Sequence, residues 1–174
     1  DHLGLGIVLK KRAEYSSAVK HLEKALEKIP NPLPVLNHLG EAYQLMGEDR
    51  KAIQVFDQAL KIDHSNITAL YLQAISFQNI KDYDRSIQLL ERLIRMKPLK
   101  DRVFYDLGVS YGRQNKLGLA HYNFGIYFVK KGKTKDARYH FEKALEESKD
   151  NPLLIEKIDK GMQALNKSPK PSTQ

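Results

Sequence analysis

Apolar side chains recur along the chain at spacings of three and four within segments of about a dozen residues, the period of a helix with one buried face. The pattern is fullest between residues 33 and 66. Leu36, Leu39, Gly40 and Tyr43 share one face of a first segment, Gly47 ends it, and Ala52, Phe56 and Ala59 recur at the same spacing in a second. Alanines suit places where two helices approach closely, and phenylalanine fills the gap between neighbouring pairs. The stretch therefore predicts two packed antiparallel helices, with Asp63 and Asn66 placed to end one helix and start the next.

The same arrangement returns at a fixed interval. Leu5, Gly6 and Leu9, then Ala18, Leu22, Ala25 and Pro30, each stand 34 residues before a counterpart. Residues 67–100 carry a more degenerate copy, with Leu70, Ala74 and Phe77 followed by Ser86, Leu90, Leu93 and Pro98. A fourth copy opens with Phe104, Leu107, Gly108 and Tyr111 and continues with Ala120, Phe124 and Tyr127. There the register slips. Phe124, Gly125, Phe128 and Gly132 also read as a first helix, with Ala137, Phe141 and Ala144 as its second, so one helix over 117–131 serves two repeats half a period apart. Asn151 and Pro152 start a final amphipathic helix carrying Leu154, Ile158 and Leu165.

This small-and-large code at a 34-residue period resembles the tetratricopeptide repeat. One family feature is missing: His64 stands where a proline is expected near the end of the 33–66 repeat. The resemblance implies an all-α, right-handed solenoid of antiparallel helix pairs over residues 1–166. Its repeats fall at about 1–32, 33–66, 67–100, 101–117 with the shared helix 117–131, and 118–149, closed by a capping helix over 152–165. About ten helices are expected, with connections near Gly47, Lys81, Asn115, Gly132 and Asn151, and a disordered tail over 167–174.

Composition narrows the function classes. The formal charge of +8 admits acidic partners, but lysines mixed with glutamates along the helices read as a solvated surface. The absence of cysteine excludes disulfides, thiolate nucleophiles and cysteine metal sites. No transmembrane run or signal peptide is present, and direct membrane insertion is not expected. Asp1 falls inside a repeat, so the chain is expected to be a piece of something longer. Catalytic chemistry finds no foothold. His2, His21, His38, His64, His121 and His140 form no HExxH pair, so no metal and no cofactor is expected. The GxG at Gly4 and Gly6 lacks a third glycine, and Glu146 with Glu147 reads as solvated charge beside lysines. The chain is expected not to be an enzyme.

A narrower resemblance covers residues 103–165. The half-repeat slip, the LGLAHYNFGIYF segment from Leu117 to Phe128 and the HFEKAL run from His140 to Leu145 resemble the C-terminal repeats of bacterial HtpX/BepA-like zinc metallopeptidases. That resemblance implies a periplasmic accessory domain recruiting a substrate or partner for a protease domain upstream. No zinc ligand of the family has a counterpart here, and a cytoplasmic location stays open.

In such solenoids the concave face is lined by first-helix residues at the fifth and ninth repeat positions. Here these are Leu3 and Ile7, Asn37 and Glu41, Tyr71 and Ile75, Tyr105 and Val109, and, in the slipped register, Tyr122 and Ile126, with Arg102 and Arg113 at the rim to attract acidic groups. Tyrosine offers a rigid ring and a hydroxyl for a passing backbone, which suits binding of an extended or unfolded polypeptide. The set of lysines, asparagines and arginine that clamps a C-terminal carboxylate is absent. Two readings remain: a groove that binds polypeptide, or a structural domain whose groove packs on the upstream protease domain or on a second copy, its tyrosines buried. Nucleic-acid binding is not expected, for want of a basic stripe interleaved with exposed aromatics.

Overall fold

The computed structural model describes residues 1–96 and 101–167, and among these it contains ten α-helices and no strand. The helices are α1 (His2–Lys11), α2 (Tyr15–Leu26), α3 (Leu33–Leu45), α4 (Asp49–Ile62), α5 (Ile67–Asn79), α6 (Tyr83–Ile94), α7 (Arg102–Arg113), α8 (Leu117–Lys130), α9 (Thr134–Glu146) and α10 (Pro152–Lys167). They fall into two compact units, Asp1–Leu93 and Ile94–Gln174. Each is a stack of helix hairpins of the expected all-α, tetratricopeptide-type design.

The first unit's core is assembled from the repeated small and large positions. Leu22, Leu36, Leu39, Ala52, Phe56 and Ala59 belong to one cluster, with Phe56 fully buried. Helix ends follow the side chains present. The Asn66 carboxamide accepts the Ala69 N–H at 3.0 Å to start α5, and Pro34 occupies the first turn of α3, where its missing N–H is no loss. In the second unit Ala137, Phe141, Ala144, Leu154, Ile158 and Leu165 form one core cluster, and Val103, Leu107 and Ala120 are buried as well. Asn151 accepts the Leu154 N–H at 3.1 Å to open α10.

One contact repeats through the chain. A side chain at Gly6 would collide with Leu22, at Gly40 with Phe56, and at Gly108 with Phe124, so each glycine seats the bulky group sixteen positions later. Ala74 and Leu90, both fully buried, hold the same two places in the third repeat. Gly112 meets Ala120 while Gly108 meets Phe124, which is the signature of antiparallel packing. The shared helix is visible in the same terms. In α8, Phe124 fills the seat left by Gly108 of α7, and the adjacent Gly125 seats Phe141 of α9. The turns keep the same beat: Ala13, Gly47, Lys81 and Asn115 all have positive φ, as does Gly132 in the slipped register.

Two boundaries differ from expectation. The capping helix runs to Lys167 rather than stopping at 165, because Leu165 is still buried against the core and holds the last turn in place. Of the expected tail at 167–174, residue 167 is thus helical, and 168–174 lie outside the described residues.

Candidate functional site

In the first unit α1, α3 and α5, the first helices of three repeats, lie side by side. A cavity of about 320 Å³ opens where α3 meets the start of α5, lined by Leu33, Pro34, Asn37, His38, Glu41 and Thr68. Its polar wall is organised by Lys10, a nearly buried lysine in the last turn of α1. The Lys10 ammonium reaches across to α3, where it pairs with Glu41 and lies 3.0 Å from His38 Nδ1. The His38 imidazole and the Lys10 ammonium hold the Glu41 carboxyl down at about 2, against a burial that alone would raise it. His38 Nδ1 lies 3.7 Å from the carboxylate, so Lys10 is the closer partner.

Asn37 stands one turn from Glu41, and its buried Oδ1 has no hydrogen-bond partner among the described residues. A buried acceptor left unpaired costs about 1–3 kcal/mol. The helix behind it is held firmly. Gln44 donates to the Leu72 carbonyl at 2.9 Å and to Ser76 Oγ at 2.8 Å, and Gln73 donates to Asp57 at 2.6 Å, so α5 is pinned to both α3 and α4. Asn79 adds a 3.0 Å bond to Asp49.

The ten residues expected at the fifth and ninth positions are all half-buried. In the first unit Leu3, Ile7, Asn37, Glu41, Tyr71 and Ile75 lie on α1, α3 and α5, with Leu3 leaning on the core. The second unit carries Tyr105, Val109, Tyr122 and Ile126. Tyr122 and Ile126 pack against its core, the Tyr122 ring 6.2 Å from Phe141, and burial pushes the phenol up. Tyr105 sits between the rings of Phe124 and Tyr127, each 5.3 Å away. Arg102 lies over the Tyr105 ring at 4.4 Å and bonds Asp106 at 3.1 Å, while Arg113 is exposed.

Sequence reasoning placed Asn37 and Glu41 but missed Lys10, His38 and Thr68. A signal existed. Lys10 and Gln44 are 34 residues apart, and each reaches 28 residues ahead to the next first helix, Lys10 to His38 and Gln44 to Leu72.

The comparisons agree with this geometry. A family model described as tetratricopeptide repeat matches residues 71–120, and one described as anaphase-promoting complex, cyclosome, subunit 3 matches residues 11–93. The fold is of the tetratricopeptide type. Among curated proteins, anaphase-promoting complex subunit 3 of Schizosaccharomyces pombe is 28% identical over 130 residues, 75% of this chain and 20% of that protein. Superkiller protein 3 of Saccharomyces cerevisiae is 32% identical over 89 residues, 51% of this chain and 6% of that protein. The peroxisomal targeting signal receptor of Kluyveromyces lactis is 29% identical over 99 residues, 57% of this chain and 18% of that protein. The chain thus spans a fifth or less of these relatives. Among solved structures, MamA from Desulfovibrio magneticus RS-1 superposes with a TM-score of 0.65 at 23% identity, covering 87% of this chain and 95% of that one. A second structure, MamA MSR-1 C2, gives 0.66 at 20% identity over 94% and 95% of the two chains. Both are similar in fold.

Proposed function

We propose that this tetratricopeptide chain is a non-catalytic interaction module that holds an extended polypeptide against the α1, α3 and α5 face of its first unit. The observation that carries the reading is Asn37: a buried, unpartnered carboxamide oxygen on the wall of a cavity, one turn from a charge cluster already balanced within itself. A peptide N–H would satisfy that acceptor, while Leu33, Pro34, Tyr71 and Ile75 offer apolar contact on either side. Lys10 is neutralised by Glu41, so the cavity is not built for a lone carboxylate. Relatives named as a subunit of the anaphase-promoting complex and as a targeting signal receptor support protein recognition as the general task.

The direct test selects peptides from a random library on the immobilised chain and measures the winners by fluorescence anisotropy. Micromolar affinity is expected, since ordering a flexible ligand consumes several kcal/mol. Asn37→Ala should weaken binding by about 1–3 kcal/mol with unchanged helicity. Equal affinity in the variant would remove Asn37 from the site and the reading with it.

Two finer readings extend this one. The LGLAHYNFGIYF segment and the shared helix α8 support service as the recruiting region of a periplasmic zinc metallopeptidase. An HExxH motif upstream in the full reading frame is the expected finding, and its absence would end that parentage. An assembly role draws on the exposed apolar Leu5 and Val8 of α1, which could pack on such a protease domain or on a second copy. Light scattering distinguishes these: a stable dimer lost on Leu5→Lys with Val8→Lys favours self-association.

A further inference from the structure

The formal charge is divided unequally between the two units. Residues 1–93 hold twelve basic and twelve acidic side chains, whereas residues 94–174 hold seventeen and nine, so the whole excess of eight belongs to the second unit. The excess has a focus: Lys130, Lys131, Lys133 and Lys135 crowd the turn between α8 and α9.

That turn is continuous with a set of aromatic rings. Lys130 lies 5.3 Å from the Phe104 ring, Lys131 5.7 Å from Tyr127 and Lys133 5.9 Å from Phe128. Tyr105 joins Arg102 to the same network through Tyr127. Among the described residues counter-charge is sparse: Asp101 stands 3.9 Å from Lys130 and 3.2 Å from Lys131, and the buried Asp106 pairs with Arg102.

Two of these lysines are placed against the helix they begin. Lys133 is the N-cap of α9 and Lys135 lies in its first turn, where the helix dipole favours acidic rather than basic groups. Only Asp136 offsets them there. An external anionic partner would reverse the sign of this arrangement.

We infer that the α8–α9 turn of the second unit, with Arg102, is a docking surface for an acidic polypeptide segment. Carboxylates fit better than nucleobases. The rings are half-buried, and cations already lie over Phe104, Tyr105, Tyr127 and Phe128, so these rings do not present bare faces for stacking. Ammonium groups held loosely over rings remain able to turn toward carboxylates, and such recognition weakens with salt. This surface is separate in composition from the Asn37 cavity of the first unit, and the two are tested apart.

The experiment titrates a fluorescein-labelled oligoglutamate with the full chain at about 50 mM and about 200 mM salt. Binding is expected, weaker at the higher salt. Replacing Lys130→Gln, Lys131→Gln and Lys133→Gln together should weaken it at least about 10-fold, and Lys20→Gln, at an exposed position on α2 of the first unit, should not change it. A second variant, Lys133→Glu with Lys135→Glu, places acids where the helix start favours them, so it should melt no lower than the parent and still lose the peptide. The inference is overturned by failure of oligoglutamate to bind, or by indifference to both variants. It is overturned equally if oligothymidylate of matched charge binds more tightly than the peptide, which would assign the surface to nucleic acid.

Discussion

Ala13, Lys81 and Asn115 occupy left-handed turn positions that glycine fills at 47 and 132. A residue with a Cβ is strained there, so Ala13→Gly and Lys81→Gly should each raise the urea midpoint by the equivalent of about 0.5–1 kcal/mol, a sign opposite to that of glycine inside a helix. Gly47 and Gly132 were readable as turns from their identity. Ala13 was not, because alanine carries no turn preference and only its 34-residue spacing from Gly47 marks it. The seat between Gly40 and Phe56 can be probed from both sides. Phe56→Ala leaves a cavity and should cost about 3–5 kcal/mol. Gly40→Ala would put a Cβ inside van der Waals contact with the Phe56 ring and should cost about 1–3 kcal/mol by crowding. Calorimetric melting reads both, and a Phe56→Ala loss below about 1 kcal/mol would contradict its burial. Glu41 supplies a pH signature. Its carboxyl is depressed to about 2, so its contribution is complete above the ordinary value of 4.5 and is lost as pH falls through about 2. Comparing unfolding of the parent with Glu41→Gln across that window should show a difference that shrinks with acid.

Helices α8 and α9 are joined by more than apolar packing. His121 and His140 face each other with their Nδ1 atoms 2.9 Å apart, and His140 stacks on Phe128 with planes 10° apart. His2 and His21 make the matching contact at 3.0 Å between α1 and α2. Burial lowers both His121 and His140; Lys143 adds to this at His121 and His121 adds to it at His140, while Glu147 and Glu146 oppose it at the first and Asp136 at the second. Imidazoles depressed in the folded chain take up protons more readily when it unfolds. Stability is therefore full above 6.5, falls as pH drops below that value, and levels off once the folded chain also protonates. Replacing His140→Gln should flatten this dependence in denaturant melts; an unchanged slope would show that the pair does not titrate with unfolding. The helices themselves were legible because their apolar period is strong, and so was the dual use of α8, from Phe124 and Gly125 side by side. The histidine pairing was not, since its partners lie nineteen positions apart on two helices, outside any spacing that one helix brings together.

Among the described residues no three His, Asp or Glu side chains are grouped to hold a metal ion, and no helix is long and apolar enough to cross a membrane. The chain should hydrolyse neither casein nor a small peptide, and cleavage that survives repeated purification would refute this. The candidate binding positions could be listed in advance because the repeat fixes which residues share a face, but Lys10 and the second unit's charge could not, because they depend on neighbours supplied by other repeats. The glycine-and-ring seat has one more consequence. It recurs after 34 residues from Gly6 to Gly40 but after only 17 from Gly108 to Gly125, so the smallest step that preserves the packing rule is a single helix. A lineage built this way can lengthen or shorten by an odd number of helices without unlearning how to pack, and each odd step hands the role of first helix to a sequence that had served as second. Surface residues that once faced away from a ligand are thereby turned toward it, with no point mutation at all.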